Sequence, residues 1–60
     1  MTIYKRVIKY PDYRLEQFYQ SLDSALNCVK DVEQTGKHLW IGTDSVSGHL
    51  ALVTTEILHA

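Results

Sequence analysis

The sequence predicts a small α+β domain of ββαββ type: a four-stranded, mainly antiparallel sheet with one helix on one face. Three observations carry that expectation. Residues 2–19 are rich in β-branched and aromatic types and are interrupted once, by Pro11-Asp12. Residues 21–36 place apolar side chains at helical spacing. Residues 38–58 return to strand-like alternation around a Ser- and Gly-containing loop.

Taken in order, Thr2 to Tyr10 (Thr-Ile-Tyr-Lys-Arg-Val-Ile-Lys-Tyr) is too short and too basic for a core helix and predicts a strand. Pro11-Asp12 suits the centre of a tight turn, with proline fixing φ and aspartate supporting the turn through its side chain. Tyr13 to Tyr19 then returns as the second strand. Pairing about that turn puts Tyr4, Ile8 and Tyr10 opposite Tyr19, Leu15 and Tyr13 on the face expected to meet the helix. Ile3, Lys5, Val7 and Lys9 fall opposite Gln20, Phe18, Glu16 and Arg14 on the outer face.

The helix is read over Ser21–Gly36. Leu22, Ala25, Leu26, Val29 and Val32 share one stripe of a 3.6-residue repeat, with Ser24, Asn27, Lys30, Asp31 and Gln34 opposite. Ser21 suits the N-cap, Asp23 the positive end of the dipole, and Gly36 the left-handed position that closes a helix. An alternative is a single long helix over residues 12–35 in a βαββ chain, because Leu15, Phe18, Tyr19 and Leu22 also follow helical spacing. The hairpin is preferred because the first strand needs a local partner and Ser21-Leu22-Asp23 has the form of a fresh helix start.

His38 to Thr43 and His49 to Leu58 predict the second hairpin, with Asp44-Ser45-Val46-Ser47-Gly48 as its loop. Leu39 and Ile41 are expected to face Leu52 and Leu50 in the core, which turns His38, Trp40, Ala51, Val53, Thr55 and Ile57 outward.

Sixty residues make one domain, close to the lower size at which a single core holds unaided. The lone Cys28 excludes an internal disulfide and is expected to be a buried structural thiol in a reducing, cytoplasmic setting. Self-association or a bound partner is the remaining source of support. A net charge of −1 argues against a dedicated nucleic-acid binder. The charge is unevenly spread, however: residues 1–20 carry four basic and two acidic side chains, residues 21–60 two basic and five acidic. No apolar run approaches the ~20 residues of a membrane span, and the N-terminus lacks the order of a signal peptide.

The sequence assembles no evident catalytic constellation. His38 and His49 lie well apart along their hairpin and His59 falls at the C-terminus, so no metal site or cofactor is expected. Cys28 has no histidine at helical spacing, and no serine sits in a nucleophile elbow. Ile41-Gly42-Thr43-Asp44-Ser45 resembles the strand-end acidic motif of ribonuclease H-like nucleases. That fold needs several more carboxylates on further strands, and downstream of Asp44 this chain offers only Glu56, so Asp44 is read as a turn residue. A small-molecule pocket of about 300 Å³ is hard to carve from so small a core. The expectation is a non-enzyme without a small-molecule substrate.

The predicted outer face is the candidate site. Trp40, Phe18, Val7, His38 and Val53 would form an exposed apolar patch suited to a larger protein target or to a second copy of the chain. Lys5, Arg6, Lys9 and Arg14 would make a basic hairpin that could contact nucleic acid instead. Tyr19-Gln20-Ser21-Leu22-Asp23-Ser24-Ala25-Leu26 looks like the strand-to-helix junction of small phage-encoded inhibitors of host RNA polymerase. Size and layout are similar to those of phage anti-defence proteins, anti-CRISPR proteins among them. The resemblance implies a compact inhibitor or adaptor that occupies a surface of a larger target.

Overall fold

A computed structural model describes residues 1–58; His59 lies outside the described residues. The chain is α+β, but with five strands among the described residues: β1 (Thr2–Lys9), β2 (Arg14–Tyr19), α1 (Leu22–Ala25), β3 (Val29–Gly36), β4 (Leu39–Asp44) and β5 (Leu50–Ile57). They form one sheet in the order β2-β1-β5-β4-β3, antiparallel at every pairing. β5 is the central strand, flanked by β1 and β4, and the chain crosses from one edge to the other through α1.

The first hairpin follows its sequence pattern. Tyr4 lies across from Tyr19, Ile8 from Leu15 and Lys9 from Arg14, and the Tyr10 N–H donates to the Tyr13 carbonyl at 2.9 Å. The two rings stack at 4.8 Å between centroids over the Pro11-Asp12 connection. Residues 14–19 are therefore strand, which removes the long-helix alternative.

The helix is where the expectation fails. It is one turn, Leu22–Ala25, and the second half of the predicted helix is β3. Its start is as read: Ser21 is extended, its hydroxyl accepts from the Ser24 N–H at 3.2 Å, and Asp23 sits in the first turn. Its end comes early because Cys28 (φ 65°) and Asp31 (φ 55°) adopt left-handed backbone conformations. Gly36 is a strand end rather than a helix cap, and Cys28 is exposed rather than buried. As a strand, the segment satisfies the backbone groups on the outer side of β4 that a helix would leave unpaired.

The second hairpin is made as expected, with its register displaced by two residues: Leu39 pairs with Thr54, Ile41 with Leu52 and Gly42 with Ala51. Its faces are inverted relative to the first. Val53 and Ala51 lie across from Arg6 and Ile8 and are buried, at 1% exposure each. They share the face of α1, whose Ala25 is completely buried. Gly42 belongs to the same layer. A Cβ there would lie 2.6 Å from Val29 Cγ1 and 2.8 Å from the Lys30 carbonyl, so the bulged start of β3 folds over this residue at backbone distance.

Arg6 holds the crossover down. Its Nη1 donates to the carbonyls of Ala25 (3.3 Å) and Asn27 (2.8 Å), and its Nη2 to Gln17 Oε1 (2.8 Å) and the Tyr19 hydroxyl. The guanidinium also lies 4.7 Å over the Tyr19 ring. Carbonyls left over at the end of a one-turn helix thus receive a charged donor from β1.

Asp44 fixes the far end. Its carboxylate accepts from the Ser47 hydroxyl (2.7 Å) and N–H (2.9 Å), and Gly48 (φ 76°) completes the loop. The Ser47 hydroxyl, then the Ser47 N–H, hold the Asp44 carboxyl below the ordinary carboxylate range against the opposing effect of burial; Arg6 adds a smaller pull in the same direction. Ser45 ties this loop to the start of β3, its N–H and hydroxyl both donating to the Cys28 carbonyl.

Candidate interaction surface

The face opposite α1 is the candidate site, built from three cross-strand rows. The middle row runs Glu16, Val7, Leu52, Ile41 and Glu33, an apolar band three strands wide closed at both ends by carboxylates. One neighbouring row runs Phe18, Lys5, Thr54 and Leu39; the other runs Arg14, Lys9, Leu50 and Thr43. Ile3 lies beyond them, across from Glu56. Phe18 is 61% exposed and Leu50 45%, whereas Val7 is enclosed by its neighbours in the sheet. Since α1 and the curled start of β3 both lie on the other face, no element crosses this one among the described residues.

The residues predicted to form one patch divide between the two faces. Val7 and Phe18 are on the open face as expected. Trp40 and Val53 are on the helix side: Val53 is core, and Trp40 is half-buried with its ring edge-on to Tyr4 at 6.2 Å. His38 is exposed in the β3–β4 turn, where its carbonyl accepts from the Thr55 N–H. The inversion of the second hairpin has a simple cause. Alternation within a hairpin separates its two faces without saying which one meets the helix.

Leu39, Ile41, Leu50 and Leu52 take the place of Trp40 and Val53 on the open face. A signal for this lay in the residues sharing Trp40's alternation, namely Gly42 and Ala51. Small side chains mark a face that another backbone approaches closely, whereas a run of leucines shows only that a face is apolar.

The basic set divides as well. Arg6 is committed to the crossover on the helix side. Lys5 lies between Glu56 (3.1 Å) and Glu16 (3.7 Å) on the open face. Lys9 and Arg14 face one another across the first hairpin, both exposed, and among the described residues neither forms an ion pair. The basic surface is therefore one corner of the open face rather than the whole hairpin. Among the described residues no group of three or more His, Cys, Asp or Glu side chains is placed to hold a metal ion, and no helix is long and apolar enough to cross a membrane.

Comparison of the chain with protein-family models, curated proteins and solved structures finds no match in any of the three.

Proposed function

We propose that this chain is a non-enzymatic protein-binding module, an inhibitor or adaptor that covers a surface of a larger protein with its open sheet face. The observation that supports this most is the Val7–Leu52–Ile41 band with exposed Phe18 and Leu50 beside it. A contiguous apolar band with an aromatic at its margin and charges around it has the composition of an interface core and rim. The reading agrees with the inhibitor-like strand-to-helix junction at Tyr19–Leu26.

Nucleic acid is the weaker reading. Arg6 is turned away, Lys5 is neutralised by two glutamates, and Lys9 and Arg14 alone supply little counterion release.

The test is a pull-down from the source cell with wild type and Phe18→Ser in parallel, each eluate divided between nuclease and buffer. The expected outcome is a protein captured by wild type, lost with Phe18→Ser and indifferent to nuclease. Capture that survives Phe18→Ser, or that nuclease abolishes, would sink the proposal.

A further inference from the structure

We propose that the chain pairs with a second copy of itself along β2, making one continuous ten-stranded antiparallel sheet about a twofold axis perpendicular to it. The inference holds whether or not the open face binds a larger protein.

The two edges of the sheet differ. The outer edge, β3, carries register shifts between Lys30 and Glu33 and between Gln34 and Gly36, with a left-handed residue at Asp31. Bulges of this kind prevent another strand from being added. β2 has neither bulge nor proline, and its register with β1 is unbroken from Arg14 to Tyr19. One blocked edge and one regular edge give an assembly that closes at two copies instead of growing into a filament.

Backbone geometry then says which residues β2 offers. The Tyr10 N–H bonds to the Tyr13 carbonyl, so this is a hydrogen-bonded pair. Such pairs alternate along an antiparallel ladder. Ile8/Leu15, Arg6/Gln17 and Tyr4/Tyr19 therefore turn their N–H and C=O groups toward each other, and Arg14, Glu16 and Phe18 turn theirs outward.

A twofold axis perpendicular to the sheet keeps the open faces of both copies on one side, so paired residues must share that face. The candidate registers then differ in their charges. Glu16 opposite the partner's Glu16 sets like charges together, and Glu16 opposite the partner's Phe18 leaves a carboxylate against an aromatic ring. With Leu15 opposite the partner's Leu15, Arg14 falls opposite the partner's Glu16, and the axis repeats that pair on the other side. Arg14 is exposed with no ion pair among the described residues, and Glu16 has only its 3.7 Å contact with Lys5. Charge complementarity selects this register. Leu15, 39% exposed in one copy, is then covered by its counterpart.

The experiment is mass by light scattering over a dilution series, with circular dichroism on each sample. Wild type is expected to approach twice 6.9 kDa at high concentration and to dissociate on dilution. Arg14→Glu places a carboxylate opposite Lys9 within one copy and opposite the partner's Glu16 across the axis. It should keep the sheet signal and weaken the dimer about tenfold. Adding Glu16→Arg to it should restore the dimer. Glu16→Pro should abolish the dimer, since it removes an outward N–H and spares the β1 ladder. A wild type that stays monomeric at every concentration overturns the proposal. So does a dimer indifferent to Arg14→Glu and Glu16→Pro but lost with Phe18→Ser, which would place the contact on the open face.

Discussion

The two faces of the sheet are built from different residue types. The helix side is organised by small residues and directional bonds: Gly42, Ala51 and Ala25 let backbones approach, and Arg6, Trp40 and Asp44 fix the elements that arrive. The open face is organised by rows of larger apolar side chains, and among the described residues no element packs on them. Stability should therefore reside on the first face and binding of a larger target on the second. That division matters in a 60-residue domain, whose whole stability is on the order of 3–9 kcal/mol.

Substitution tests the division directly. Gly42→Ala should have the largest effect, about 3 kcal/mol at the upper end of overpacking costs, because both a valine methyl and a backbone carbonyl occupy the added space. Urea denaturation will measure it, and a loss below about 0.5 kcal/mol would show that β3 does not close over this position. Arg6→Met should follow at roughly 2–3 kcal/mol, the scale of charge-assisted bonds lost at the crossover. Its melting should remain cooperative and move to lower temperature. Trp40→Ala should cost about 2 kcal/mol, less than a fully buried aromatic would, while leaving association intact.

Asp44 gives a pH dependence of definite sign. Its carboxyl is held below the ordinary carboxylate range in the fold, so its contribution is complete above about pH 4 and lost as pH falls toward the folded-state value. Tm measured between pH 5 and 2 should fall more steeply for wild type than for Asp44→Asn, and parallel curves would contradict the assignment. Phe18→Ser should have the least effect on stability, within about 0.5 kcal/mol, and the greatest on capture of the larger protein target. A marked drop in Tm would mean that the two faces are not divided in this way.

The register of the first hairpin was legible because Pro11-Asp12 is a turn signal between two β-rich runs, although Asp12 also suited a helix N-cap. The misreading of residues 21–36 has a physical source in Val29 and Val32. Three residues apart, they fit a helical stripe. In the structure a bulged strand brings both to the same glycine, so a bulge can reproduce the spacing of a helix. The Ser21 cap was readable because capping is local. The stop at Cys28 was not, because a left-handed cysteine leaves no mark in composition. For the site, Val7 and Phe18 were placed correctly by the first hairpin. Trp40 and Val53 were misplaced because the orientation of the second hairpin depends on the β1–β5 pairing, a contact between distant parts of the chain.

That pairing sets the order in which the protein can be made. Thr2 lies across from Ile57, and Lys9 from Leu50. While the chain is being synthesised, β1 can pair with β2 as soon as both are available, but its other edge must wait until residues 50–57 emerge. The meander of β3, β4 and β5 then docks as its last strand arrives. Folding is thereby tied to a late, long-range closure of the kind that slows small β proteins. Until then the apolar flank of β1 is exposed on the nascent chain, and an interruption of synthesis before residue 50 would leave a hairpin with no core to join.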